Sequence, residues 1–233
     1  MGGTSPTKPA GHSDSPLATA SPPGARSPLV VGLVGGIGAG KSEAAAAFAR
    51  RGARVVSGDA LAHEALRQPA VVALVVGRWG PAMLDDKGEV QRRKLGAVVF
   101  ADAGERQALE AMVHPWIKRR IREEIAAARK DPAAKLIVLD AAIMLEAGWS
   151  DVCDRLVFID APAALRRKRV AGQRGWTEEE AAAREAAQLP LTAKAARADH
   201  TLDNSASPEH LGRQVDALLR LWGLAPTPAP EGP

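Results

Sequence analysis

The run Gly35-Gly36-Ile37-Gly38-Ala39-Gly40-Lys41-Ser42 places glycines, a lysine and a hydroxyl in an order that binds phosphate. It fits the GxxxxGK[ST] pattern, follows an apolar stretch and opens an Ala-rich one, the strand-loop-helix context that the pattern requires. Glycines let the backbone turn back so that successive amides point inward, and a helix starting near Lys41 adds the positive end of its dipole. The phosphates of ATP fit such a nest. Gly36, Ile37, Gly38, Ala39 and Gly40 offer their backbone, Lys41 reaches the β- and γ-phosphates, and Ser42 ligates Mg²⁺. Glu43 follows directly and belongs to the same expected nucleotide site.

Other residues could serve the same chemistry. Asp59 ends Val55-Val56-Ser57-Gly58-Asp59, at the carboxyl edge where open α/β sheets place ligands. A carboxylate there can take a proton from an attacking hydroxyl or hold Mg²⁺; it can also be the N-cap of a helix from Ala60. Asp140 ends Leu136-Ile137-Val138-Leu139, a hydrophobic run followed by an acid, and suits either a metal or a cap for the stretch from Ala141 to Glu146. His114-Pro115 stands between two helical stretches, where the histidine is open to a cap or core role. Arg166, Arg167, Lys168, Arg169 and Arg174 crowd one segment, as cations over a γ-phosphate or as a solvated basic face.

The elements that must position these groups alternate. Short β-branched runs are expected as strands at Leu29 to Val34, Arg54 to Ser57, Leu136 to Leu139, Leu156 to Ile159 and, weakly, Thr201 to Leu202. Ala-rich helical stretches separate them, the pattern of a parallel sheet covered by helices. Ala60 to Ala128 has turn signals at Trp79-Gly80-Pro81 and Asp85 to Gly88 and an amphipathic stretch from Pro115 to Lys130, so it is expected as a helical insertion. Ala163 to Ala196, rich in Arg, Lys and Glu, is expected as a second insertion, an exposed helical pair.

Composition narrows the classes. The chain has 233 residues, 46% hydrophobic and 25% charged, enough for one α/β domain with a sizeable core. A net charge of +4 suits anionic ligands, and phosphorylated small molecules meet that need as well as nucleic acid does. With no tyrosine and 3% aromatic residues there is no stacking platform for single strands, so no nucleic-acid partner is expected. No apolar run is long enough for a bilayer. The single cysteine, Cys153, suits a reducing, cytoplasmic compartment and reads as a small core residue. Residues 1–27 and 225–233 are Pro-, Ser- and Ala-rich and are expected to be disordered tails.

From Leu29 to about Leu221 the chain resembles the dephospho-coenzyme A kinase family. The resemblance rests on Gly32 to Ser42, Gly58-Asp59, Gln91-Arg92-Arg93 with Leu95 and Val99-Phe100, Leu109 to Pro115, Glu146, Arg184 with Gln188, Ala198-Asp199 and Asp203-Asn204. It implies a five-stranded parallel P-loop kinase core (28–59, 133–165 and 197–224), a helical substrate insertion (60–132) and a lid (166–196). The implied reaction moves the γ-phosphate of ATP, with Mg²⁺, to the ribose 3′-hydroxyl of dephospho-coenzyme A, the last step of coenzyme A synthesis. By the same resemblance Asp59 is the catalytic base and Asn204 contacts adenine. Arg92 and His114 bind the substrate, Arg169 and Arg174 act from the lid, and Ser42 and Asp59 hold the metal. Three departures stand out. The family's DAD triplet reads Ser57-Gly58-Asp59, its PLLFE-like segment reads Ala142-Ile143-Met144-Leu145-Glu146, and Gln173 occupies a usual arginine position next to Arg174.

Overall fold

Five short apolar runs pair into one parallel sheet in a computed structural model of the chain, which describes residues 27–224. The elements in order are β1 (Leu29–Gly35), α1 (Lys41–Ala49), β2 (Arg54–Ser57), α2 (Gly58–Ala65), α3 (Pro69–Trp79), α4 (Arg92–Ala101), α5 (Ala103–Ala128), β3 (Leu136–Asp140), β4 (Arg155–Asp160), α6 (Ala163–Arg174), α7 (Glu178–Ala186), α8 (Leu191–Ala196), β5 (His200–Asp203) and α9 (Pro208–Leu221). The sheet order is β2-β3-β1-β4-β5, so the strand that feeds the phosphate loop is central. Each expected strand is present, four of them a residue or more longer than the sequence reading. Apart from Ser27, the expected tails lie outside the described residues.

Alternation along β1 explains why both faces of the sheet are covered. Val31 and Leu33 join a cluster with Phe48 of α1 and Leu211 and Val215 of α9. Val30 and Val34 point the other way, into a larger cluster with Leu61 of α2 and Ile117, Ile121 and Ile125 of α5. A central parallel strand buried on both sides has no polar face to spare. The small side chains Ala44, Ala45 and Ala47 are buried on α1 and let that helix lie close to the sheet.

Two expectations about the insertions change. Pro115 does not divide two helices: α5 runs through it as one helix of 26 residues. An interior proline removes one ladder hydrogen bond and costs about 3 kcal/mol. Val113, Ile117, Ile121 and Ile125 form a buried stripe with one residue per turn, and at about 1.5–3 kcal/mol each their burial outweighs that cost. The second insertion is three helices, α6 to α8, and is not wholly exposed. Arg166 of α6 and Lys194 of α8 are buried.

Candidate active site

The phosphate loop bends where the sequence places its glycines. Gly38 (φ 74°) and Gly40 (φ 89°) both adopt the left-handed region that side chains disfavour. A Cβ on Gly40 would also land on the side-chain amide of Asn204, and one on Gly36 would lie 2.5 Å from Arg166 Nη1. Lys41, the first residue of α1, curls back over the loop and donates from Nζ to the carbonyls of Gly36 (3.1 Å) and Gly35 (3.3 Å).

Ser42 and Asp140 meet at the carboxyl edge of β1 and β3. The Ser42 hydroxyl donates to Asp140 Oδ2 at 2.8 Å. Residues 142–148 after Asp140 form turns, so no helix there takes Asp140 as its cap. A hydroxyl beside a carboxylate is an oxygen donor set of the kind Mg²⁺ prefers. Among the described residues no group of three or more His, Cys, Asp or Glu could form a complete cage, so most of the shell of such an ion falls to phosphate and water.

Asp59 is exposed and sits in the first turn of α2. The helix cap is Ser57, whose hydroxyl accepts from the Ala60 amide at 3.2 Å, so the alternative reading of Asp59 as a cap is corrected. Partial desolvation lowers the pKa of His63, one turn along α2; the Arg92 guanidinium lowers it further and Asp59 opposes both.

One cleft of about 470 Å³ collects residues from the phosphate loop, both helical insertions and the turns after β3. Gly38 and Lys41 come from the loop, Asp59 from α2, Arg106, Glu110 and His114 from α5, and Trp176, Arg184 and Gln188 from the second insertion. Burial lowers the His114 pKa, Glu110 pulls the other way, and the imidazole meets Trp149 edge-on at 5.2 Å. Arg184 is held between two aromatic faces, 4.3 Å from the Phe100 centroid and 4.1 Å from that of Trp176. Phe100 is on α4 and Trp176 precedes α7, so this cation–π stack joins the two insertions across the cleft. Arg92 does not line it; it is exposed at the start of α4 in a basic hollow with Gln91, Arg93 and Lys94.

The other side of the loop is closed by β5 and α6. Asn204 is 1% exposed and gives both amide hydrogens away, to Ala39 O (2.9 Å) and Glu43 Oε2 (3.1 Å). Its Oδ1 is buried with no hydrogen-bond partner among the described residues. Arg169 reaches Asn204 O at 3.0 Å and Ala39 O at 3.4 Å. Arg166 pairs with Glu185 and touches Ile37 O, so it too lies against the loop. Arg174 closes α6, and its side chain lies outside the described parts of the structure. The sequence reading counted Arg166 among the basic residues that could lie over a γ-phosphate and Phe100 among those that carry the family resemblance, but it gave neither a contact in the site and did not single out Trp176. Arg166 stands three positions before Arg169, a helical spacing that puts both on one face.

A parallel sheet with a phosphate loop at its central strand and a cleft shared with two helical insertions defines a P-loop kinase. A family model described as dephospho-CoA kinase matches residues 29–209. The chain is 42% identical over 194 residues to the dephospho-CoA kinase of Anaeromyxobacter dehalogenans, covering 82% of this chain and 90% of that protein. Among solved structures it resembles TT1252 of Thermus thermophilus (TM-score 0.70, 34% identity, 84% of this chain and 98% of that one). The dephospho-CoA kinase of Campylobacter jejuni shares the fold at 21% identity (TM-score 0.58, 84% of this chain and 98% of that one). The chain belongs to the dephospho-CoA kinase family.

Proposed function

We propose that this chain transfers the γ-phosphate of ATP to the ribose 3′-hydroxyl of dephospho-coenzyme A, giving ADP and coenzyme A. The observation that carries the reading is the single cleft that places the loop lysine, Lys41, with Asp59 and His114, under a roof containing Arg184 and Gln188. A phosphoryl-transfer site needs two substrates held in line and water kept out, and a cleft shared by core, insertion and lid meets both needs.

Each residue then has a task. The amides of Gly36 to Gly40 and the start of α1 hold the phosphates, and Lys41 exchanges its bonds to Gly35 and Gly36 for phosphate oxygens. Ser42 with Asp140, and Asp59 from the facing helix, would hold Mg²⁺, which when bound neutralises phosphate charge. Asp59 accepts the proton of the attacking hydroxyl, a contribution of about 10²–10⁴-fold. His114, kept neutral by burial, offers a hydrogen bond to the acceptor, while Arg92 stands outside the cleft where only a long substrate reaches it. Arg166, Arg169 and Arg174 supply positive charge from the lid. Asn204 is assigned to adenine by resemblance, and of its side chain only Oδ1 is left for a base.

The boundaries 28–59, 133–165 and 197–224 for the core, 60–132 for the substrate insertion and 166–196 for the lid are part of this reading. So is a cytoplasmic location: among the described residues no helix is long and apolar enough to cross a membrane. ATP and dephospho-coenzyme A are its small-molecule partners, with no nucleic acid among them. Incubation with ATP, Mg²⁺ and dephospho-coenzyme A should yield ADP and coenzyme A in equal amounts. ADP formed at the same rate without the acceptor would refute the assignment and leave a nucleotide-hydrolysing switch.

A further inference from the structure

Lys194 of α8 has only 2% of its surface exposed, although lysine is among the residues least often buried. Its ammonium lies 2.9 Å from Glu146 Oε1 and donates to Gln188 Oε1 at 2.8 Å. The same Glu146 oxygen accepts from the backbone amide of Leu189 at 2.9 Å, so the turn after β3 and the segment between α7 and α8 are fastened together. A lysine ammonium carries three donors and no acceptor. The Gln188 amide must therefore turn its oxygen toward Lys194, which removes the twofold ambiguity that amide side chains usually have. That leaves Nε2 as the donor of the amide, with no hydrogen-bond partner among the described residues, on a residue that lines the cleft with Lys41, Asp59 and Arg184.

We infer that Gln188 Nε2 is a specificity-determining donor that binds an oxygen of the acceptor substrate, and that Lys194 is the positioning residue that aims it. The inference rests on the kinase reading above. A donor pair fixed by a buried cation cannot rotate to present an oxygen. The roof of the cleft at this point therefore accepts a hydroxyl, carbonyl or phosphate oxygen and rejects a group that can only donate.

Gln188→Glu separates this role from a structural one. Glutamate keeps an oxygen facing Lys194, so the melting temperature should hold, but it has no hydrogen to give to the cleft. Calorimetric Kd and steady-state KM for dephospho-coenzyme A should both rise about 5-fold or more, the scale of one hydrogen bond, with KM for ATP unchanged. Repulsion between the new carboxylate and an anionic acceptor is a competing cause that salt screens. The ratio of variant to wild-type Kd should thus persist when the salt concentration is raised to about 0.5 M. An unchanged Kd, or a ratio that returns to one in salt, overturns the role of Gln188. If the variant melts far below wild type, Gln188→Met, which loses oxygen and nitrogen together, should weaken binding to the same degree if the donor is what matters. Wild-type protein that binds no dephospho-coenzyme A overturns the substrate reading, and with it this inference.

Discussion

Asp59 and Ser57 stand two residues apart at the start of one helix; Ser57 caps it, whereas Asp59 is the proposed base. Replacing each in turn tests that division. Ser57→Ala removes the hydroxyl that accepts from the Ala60 amide at 3.2 Å, an N-cap loss of about 1 kcal/mol. For a domain of about 200 residues that lowers the melting temperature by roughly 2–4 °C. Turnover should stay near wild type because the hydroxyl faces the helix. Asp59→Asn keeps the shape and loses one charge in the first turn of α2, an exposed dipole contact of about 0.5 kcal/mol. Its melting temperature should fall by about 1–2 °C. Transfer to dephospho-coenzyme A should fall by about 10²-fold or more if the carboxylate takes the proton. The assay is ADP release coupled to coenzyme A formation, with scanning calorimetry alongside. Unchanged turnover in Asp59→Asn would refute the base. A drop in Mg²⁺·ATP affinity with normal turnover at saturation would move Asp59 to the metal.

Lys41→Ala should abolish transfer and shift melting by no more than about 2 °C, since a half-buried loop lysine contributes little to packing; normal turnover would contradict the loop assignment. Gly40→Ala forces a left-handed alanine, about 1–2 kcal/mol, and displaces the Asn204 amide from Ala39 and Glu43 at about 1 kcal/mol each. A fall in melting temperature of roughly 6–16 °C with weakened ATP binding is expected from those costs, measured by thermal scan and titration. Burial holds the His114 pKa below its ordinary 6.5, so the fold favours the neutral ring. The stability this gives is present above about pH 6.5 and is lost as the pH falls toward the folded-state value. Denaturant titrations from pH 7 to 5 should show a shallower decline in His114→Gln, and an NMR titration midpoint at or above 6.5 would refute it.

How much of this was legible in the sequence depends on how local each signal is. The loop from Gly35 to Ser42 reads correctly because all its parts are contiguous. The five strands read correctly because β-branched runs in a buried parallel sheet have little else to become. The pairing of Ser42 with Asp140 needs β1 beside β3, and strand order is not written in any one segment. The basic run at Arg166 to Arg169 is ambiguous until the start of α6 fixes the helical phase that turns Arg166 and Arg169 toward the loop. Lys194 reads as a surface residue. Only the arrival of Glu146 and Gln188 from distant segments allows its burial. His114-Pro115 misled for a different reason: proline is a strong local stop signal, and here tertiary packing of the isoleucine stripe overrides it.

Cys153 packs beneath β1, where a side chain on Gly32 would press on Met144 Sδ and Cys153 Sγ. Burial, with Asp154 and Asp151 nearby, pushes the thiol pKa up to about 12. At neutral pH roughly one molecule in 10⁵ then carries a thiolate, against a few per cent for a free cysteine, so alkylating reagents should pass it by. It is also the only cysteine in the sequence. The chain is thus already a nearly silent background for thiol labelling. Cysteines placed at exposed Glu179 of α7 and Arg93 of α4 would take a fluorophore pair without any native residue being removed. Energy transfer between them would report in real time whether the distance between α7 and α4 changes when nucleotide and acceptor are added.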